Sequence, residues 1–154
     1  MEGCMTPYIH FGAFTWNLDS SVGKGGQNSV AADVSYIQWY YWLAAKNPKT
    51  PPDRQAIYRL VNPTGSFTGA CTGRDDDPLV RAIMAHQQAL SHPYVDGRIS
   101  VARGEGKLGE KAFFILRLSA RLADMFPDQW PRLDRIERCP PSVAEAMKKA
   151  VPKI

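Results

Sequence analysis

Apolar residues recur at helical spacing along several stretches of this chain, and proline or glycine separates each stretch from the next. These periodicities predict helices at about residues 31–46, 53–60, 78–90, 110–126 and 142–149. The aromatic-rich stretch 8–18 alternates partially between apolar and polar residues, which predicts an extended segment laid against the helices. The pattern therefore indicates a mainly α fold.

The first predicted helix carries several distinct signals. Asn28 or Ser29 is its expected N-cap, and Asp33 in the first turn suits the helix dipole. One stripe, expected to face the core, contains Val30, Val34, Ile37, Tyr41 and Ala45. Three further aromatic residues lie off that stripe: Trp39, Tyr40 and Trp42. We expect the amino-terminal segment or the last helix to cover them, the alternative being an exposed platform for a sugar ring.

The third predicted helix begins at Asp77-Pro78, a cap residue followed by proline at the first helical position. His86 falls on its apolar stripe, where a core histidine with one hydrogen-bond partner is expected. The Asp96-Gly97 pair that follows is typical of a tight turn.

Composition narrows the classes of function. The chain has 154 residues, 44% hydrophobic and 22% charged, which predicts one globular unit. The net charge of +4 is scattered, and no nucleic-acid-binding motif is present, so we expect no nucleic-acid partner. Three distant cysteines and three scattered histidines offer neither a disulfide framework nor metal-ligand spacing. We therefore expect no metal and no cofactor.

The start of the chain and its apolar runs bear on localisation. Residues 1–7 lack a cationic segment followed by an apolar one, so they do not predict a secretory signal peptide. The longest apolar run, around 37–45, falls far short of the ~20 residues that cross a bilayer. We expect synthesis in the cytoplasm without an export signal, and no membrane partner.

Three short motifs follow one another along the chain. They are Asp-Val-Ser-Tyr-Ile-Gln (33–38), Ala-Ile-Met-Ala-His-Gln (82–87) and Val-Asp-Gly-Arg-Ile-Ser (95–100). In this order and spacing they resemble the small helical peptidoglycan-binding domain of many cell-wall enzymes. Some stand-alone proteins with this domain are associated with phage or type VI secretion gene clusters. Two features depart from the family: His86 replaces the usual phenylalanine, and the segment 46–74 is longer than the usual loop.

The resemblance implies a compact helical peptidoglycan-binding-like core over residues 21–104. The extended segment 1–20 would precede this core, and a helical extension, 105–154, would follow it. We expect the three parts to pack as one compact unit. The extension lies outside the resemblance and has no role assigned by it.

The function implied by the resemblance is non-catalytic binding of a peptidoglycan fragment. The binding groove would lie between the first and third helices, edged by the Asp96-Gly97 turn. The candidate ligand-binding residues are Gln38, Trp39, Trp42, Gln87, Asp96, Gly97 and Arg98, with Arg103 beside them. The arginines would clamp stem-peptide carboxylates through forked hydrogen bonds. Both glutamines have a structural alternative, which we favour, in which their amides bond loop backbone.

A chain without an export signal would reach the wall by lysis, phage release or a contractile secretion machine. That requirement keeps a second hypothesis open, an adaptor or chaperone that binds a protein partner such as a wall hydrolase or effector. Its docking surface would be Trp130 and the predicted helix 110–126. A small wall hydrolase is a third hypothesis, with Glu105 and Glu110 as its carboxylates. Glycosidases hold two carboxyl groups ~5 to 10 Å apart, and nothing in the sequence fixes this pair.

Overall fold

The computed structural model describes residues 6–10, 13–103, 107–108 and 111–150, with side chains described within 14–103 and 113–150. These residues form five α-helices and three two-stranded antiparallel ribbons, which confirms the mainly α class. The strands are β1 (Thr6–His10), β2 (Ala13–Asn17), β3 (Val22–Gly23), β4 (Arg98–Ile99), β5 (Lys107–Leu108) and β6 (Lys111–Ala112). The helices are α1 (Ala31–Lys46), α2 (Pro52–Arg59), α3 (Pro78–Ala89), α4 (Phe114–Met125) and α5 (Pro141–Ala150), with a short 3-10 turn at Leu133–Arg135.

The periodicities locate the first three helices well. The α1 boundaries are as predicted, and α2 and α3 match to within one residue at each end. Asp77 caps α3 as expected, because its side chain accepts a hydrogen bond from the Leu79 N–H at 2.8 Å. Proline at the first helical position of α2 and α3 costs no hydrogen bond there.

The apolar stripe predicted for α1 is buried as expected, with Val30 partly buried, and Trp39 and Tyr40 beside it are buried as well. This helix is buried on nearly every side, with 13 of its 16 residues enclosed, so it forms the centre of the fold. Helices α2 and α5 pack against it, as does the β3 segment. Trp39 shows the covering directly: its indole N–H donates to the Glu137 carbonyl at 2.9 Å.

The start of α1 also differs from the prediction. Val30 is the N-cap residue and makes no side-chain cap bond, while Asn28 instead brackets Gly23, accepting from its N–H and donating to its carbonyl. The Asp33 carboxylate lies in the first turn of α1 but does not face solvent there. It is completely buried, and one oxygen accepts hydrogen bonds from the N–H groups of Asp19 and Ser20 at 2.8 and 2.9 Å.

The amino-terminal residues form a ribbon, β1 with β2, whose end is attached to distant parts of the chain. The Trp16 indole donates to the Pro131 carbonyl at 2.8 Å, and the Ser119 hydroxyl donates to the Trp16 carbonyl at 3.2 Å. Asn17 pairs with both backbone groups of Ala102 at 3.0 Å. The ribbon is therefore attached both to the segment after β4 and to the carboxy-terminal third.

The carboxy-terminal third packs against α1 through α5 and against β2 through α4. Helix α4 begins at Phe114 rather than at Glu110, because Lys111–Ala112 pairs with Lys107–Leu108 as a ribbon. The sequence offers Ser142 as a cap for the last helix, but α5 begins one residue earlier, at Pro141, so Ser142 lies inside it. A single cluster of buried apolar residues includes members from all three parts of the chain.

Candidate functional site

Gln38 on α1 holds a loop through its side-chain amide. The amide oxygen accepts from the Gly69 N–H at 2.9 Å, and the amide nitrogen donates to the Ala70 carbonyl at 3.2 Å and the Thr68 hydroxyl at 3.1 Å. Three consecutive loop residues are thus bound to one helical side chain. Both amide protons are used in these bonds.

Gln87 on α3 repeats this arrangement. Its oxygen accepts from the Gly97 N–H at 2.9 Å, and its nitrogen donates to the Arg98 carbonyl at 3.0 Å and to the Asp96 carboxylate at 3.2 Å. We call the two arrangements the glutamine clamps. In each, the amide binds the N–H of a glycine, the carbonyl of the next residue and the side chain of the preceding one.

The glycine at the centre of the second clamp is required by geometry. Gly97 has a φ of +71°, and an added Cβ would lie 3.1 Å from Val80 Cγ1 and 3.3 Å from Met84 Cε. A larger residue would meet both a strained backbone and the surface of α3. The predicted turn at Asp96-Gly97 is confirmed, and the strand that follows it pairs with β3.

The rim of this turn leaves little space for a ligand. Arg98 lies 3.6 Å from the Asp96 carboxylate in a half-exposed ion pair, so its charge is partly used within the turn. The adjoining hollow, which includes Gln87 and Tyr94 in its lining, measures about 20 Å³. That volume accommodates roughly one water molecule.

The two candidate tryptophans pack against other residues of the chain. Trp39 is 0% exposed and contributes to no surface. The half-buried Trp42 ring meets the Phe67 ring edge to face, and the charges of Lys46 and Arg138 lie 4.2 and 5.4 Å from its centroid. Lys46, Arg138 and Phe67 therefore fill space over and beside the Trp42 ring in which a stacked sugar would lie.

A larger opening lies elsewhere, between α1, α2, α3 and α4. It encloses about 340 Å³, within the range of small-molecule sites. We call it the cationic cleft. Its lining includes Tyr40, Arg54, Tyr58, His86, Arg117 and Arg121.

The charge of the cleft is strongly positive. Four cationic residues line it, Lys49 and the three arginines, against one acidic residue, Asp124. Among the described residues, Arg54, Arg117 and Arg121 form no ion pair. Unpaired guanidinium groups around a concave site attract anions and bind carboxylates or phosphates in a forked geometry.

His86 lies in an aromatic enclosure beside this space. Its ring stacks on Tyr40 with a centroid separation of 5.8 Å and meets Tyr41, Tyr58 and Phe114 edge to face. Burial, followed by the charges of Arg54, Arg121 and Arg117, lowers the pKa of His86 to about 3. The expectation of a core histidine with one hydrogen-bond partner is confirmed, since Nδ1 lies 3.1 Å from the Tyr41 hydroxyl.

Tyr58 contributes a second buried polar group to the cleft. The residue is 2% exposed, and its hydroxyl makes no hydrogen bond of ordinary geometry in the part of the chain that the structure describes. The Arg54 guanidinium lies beside it and partly offsets the rise in the Tyr58 pKa that burial causes. Because the hydroxyl oxygen is closed off from solvent, a ligand in the cleft does not reach it, and its burial without a partner is a cost to the fold.

The structure divides the predicted candidates into two groups. It brings Gln87, Asp96, Gly97 and Arg98 together in one clamp, and places Gln38 in the other. Arg103 is exposed, and Glu105 and Glu110 lie outside the described residues. Trp130 packs on Phe14, with 6.5 Å between the ring centroids.

The cleft arginines were missed as a site because they lie on two helices about 60 residues apart. The i, i+4 spacing of Arg117 and Arg121 was the available signal.

Within the described ranges, no group of three or more His, Cys, Asp or Glu side chains is arranged to hold a metal ion. No helix in those ranges is both long and apolar enough to cross a membrane. No protein-family model, no curated protein and no solved structure matches this chain.

Proposed function

We propose that this protein is a non-catalytic binding module that recognises a peptidoglycan fragment in the cationic cleft, through the carboxylates of its stem peptide. The observation that carries the proposal is the set of three arginines without ion pairs around a cavity of about 340 Å³. A peptide with free carboxylates matches such a site in charge and in hydrogen-bonding geometry.

The location of the cleft supports the same function. Its walls include α1 and α3, the two helices whose motifs resemble the peptidoglycan-binding family. The clamps explain why those motifs carry glutamine, because each amide holds a loop beside its helix. The ligand-binding part of the proposal thereby moves from the turn at Asp96-Gly97 to the cleft.

Co-sedimentation with purified peptidoglycan sacculi tests this function. We compare the wild type with the double variant Arg117→Ala/Arg121→Ala at low and moderate salt. The bound fraction of the variant is expected to fall at least about tenfold, since each lost charged hydrogen bond weakens binding by roughly 1.5–3 kcal/mol. Soluble muropeptides should compete with the sacculi for the wild type.

A matched control separates recognition from adsorption of a basic protein. Arg59→Ala/Arg135→Ala removes the same charge from two exposed arginines that do not line the cleft. This variant should bind like the wild type. Equal losses in both double variants would indicate adsorption, and a wild type that stays in the supernatant would favour the adaptor that binds a protein partner.

A further inference from the structure

We propose that His86 is a specificity-determining residue of the cationic cleft, presenting a fixed, uncharged Nε2–H donor that selects a carboxylate over its amide. This inference deepens the proposed function and rests on it for the identity of the ligand. It arises at the position where this chain departs from the family that it resembles.

The hydrogen bond to Tyr41 fixes which ring nitrogen carries the proton. Tyr41 is 0% exposed, and its hydroxyl has only His86 as a partner within the described ranges. If the hydroxyl donates to Nδ1, both groups are satisfied and the imidazole proton is on Nε2. The reverse tautomer would leave the buried hydroxyl proton of Tyr41 unbonded, which costs about 1–3 kcal/mol.

The second ring nitrogen has no partner within the described residues, and His86 belongs to the lining of the cleft. Nε2 makes no hydrogen bond in the described structure, and it is not one of the fully buried side-chain atoms without a partner. His86 as a whole is 8% exposed, and it is one of the residues that line the cleft. An N–H donor at the cleft lining therefore has no partner of its own among the described residues.

The surroundings keep this donor neutral and oriented. Burial and the arginine charges hold the His86 pKa far below physiological pH, so the ring does not gain a second proton there. Four neighbouring rings enclose the imidazole and restrict its rotation. The arginines supply charge to the ligand, while His86 supplies one directional donor.

This combination discriminates between acceptors and donors on the ligand. A carboxylate offers only acceptor oxygens, so one oxygen can accept from Nε2–H while the group remains paired with a guanidinium. An amide in the same place loses the charge and, in one of its two orientations, presents N–H₂ to a donor. Phenylalanine at position 86 would keep the volume and lose the contribution of His86 to this selection.

The test uses the full chain labelled with ¹⁵N-histidine, and three probes. The probes are muropeptides with free stem-peptide carboxylates, the same muropeptides with those carboxylates amidated, and inorganic sulfate. Nuclear magnetic resonance should show His86 protonated at Nε2 in the free protein. The Nε2–H resonance should move with the free-carboxylate muropeptides and not with the amidated ones.

Two variants measure the contribution to affinity. His86→Phe should weaken binding of the free-carboxylate muropeptides by about ten- to a hundredfold and reduce their preference over the amidated ones to the part that the arginine charges supply. Tyr41→Phe keeps the ring at position 86 and removes only the hydroxyl that fixes its tautomer. It should weaken binding less, and the Nδ1-protonated form should become visible.

The outcomes distinguish this inference from the proposed function. Muropeptide binding that His86→Phe leaves unchanged, or a free protein protonated at Nδ1, would overturn the role of His86 while the proposed function stands. A response of Nε2–H to sulfate without any response to muropeptides would support the donor and overturn the peptidoglycan ligand.

Discussion

The glutamine clamps and the cationic cleft use polar side chains in opposite ways. In the clamps, every amide proton of Gln38 and Gln87 is bonded to a neighbouring loop. In the cleft, three arginines have no ion pair, and one ring nitrogen of His86 has no hydrogen bond, within the described residues. Side chains whose partners are all internal stabilise the fold, whereas unpaired polar groups around a cavity remain available to a ligand.

This difference predicts opposite responses to mutation. Clamp variants should unfold the protein more easily, because truncation leaves loop N–H and carbonyl groups unsatisfied. Cleft variants should change ligand binding with little change in stability. The expected changes in the free energy of unfolding run from about 4 kcal/mol for a clamp variant to less than about 0.5 kcal/mol for a cleft variant.

The largest expected effect is that of Gln87→Ala. Loss of the amide leaves the Gly97 N–H and the Arg98 carbonyl without their partner, so the free energy of unfolding should fall by about 4 kcal/mol. Denaturant unfolding monitored by tryptophan fluorescence measures it. Gln88→Ala is the control, since Gln88 is exposed and should change stability by less than about 0.5 kcal/mol. Equal effects of the two variants would contradict the structural role of the clamp.

The next largest effect is a dependence of the free energy of unfolding on pH, to which two buried groups contribute with opposite sign. Burial raises the pKa of Asp33 from 3.8 to about 7, so the folded state binds the extra proton and stability falls as the pH rises through that range. The pKa of His86 is lowered from 6.5 to about 3, so the unfolded state binds the extra proton and stability rises over nearly the same range. The two contributions largely cancel between pH 4 and 6.5.

Single variants should reveal each contribution. Asp33→Asn should become more stable as the pH rises from about 4 to 6.5, and His86→Phe less stable, each on the order of 3 kcal/mol over the interval. Unfolding free energies at a series of pH values provide the measurement. Parallel slopes in the two variants would show that these groups do not titrate as the structure indicates.

Smaller changes in stability are expected when either of two buried tyrosine hydroxyls is removed. Tyr41→Phe removes a hydrogen bond to His86 and should lower the free energy of unfolding by about 1 kcal/mol. Tyr58→Phe removes a hydroxyl that has no hydrogen bond of ordinary geometry among the described residues, so stability should stay the same or rise by up to about 1 kcal/mol. Thermal unfolding of both variants tests the ranking. The opposite ranking would mean that the Tyr58 hydroxyl is already satisfied.

The smallest change in stability is expected for the cleft arginines. Arg117→Gln/Arg121→Gln should leave the free energy of unfolding within about 0.5 kcal/mol of the wild type. Its readout is the pKa of His86, which should rise because two positive charges are gone, while burial still holds it below its ordinary value. A histidine titration by nuclear magnetic resonance follows the shift, with Arg59→Gln/Arg135→Gln as the control. An unchanged pKa would show that these arginines do not act on His86.

Local patterns predicted the helical frame, because the signals for α1, α2 and α3 lie within each segment. Asp77 is a cap that needs only its own helix, and His86 belongs to a stripe that needs only its own spacing. Covering of the aromatic residues off the α1 stripe by a distant segment was expected, but the particular packing was not predictable in this way. It depends on Trp39 reaching the Glu137 carbonyl 98 residues away.

The cleft was hidden from sequence reasoning for a similar reason. Arg54 and Arg117 each resemble an ordinary solvated arginine until α2 and α4 meet around one cavity. Asp33 was likewise assigned to the helix dipole, since nothing nearby in sequence shows that the backbone of Asp19 and Ser20 converges on it. Convergence of distant segments is the information that periodicity lacks.

Two of the three cleft arginines are on α4, outside the region held by the clamps. Arg117 is exposed and Arg121 half-buried, and neither has an ion-pair partner in the described structure. Replacing their side chains therefore breaks no ion pair and no glutamine clamp within the described residues. Under the proposed function, two positions on one helix set most of the charge that a ligand would meet, because neutral residues there would lower the formal charge of the lining from +3 (four cationic residues less one acidic residue) to +1.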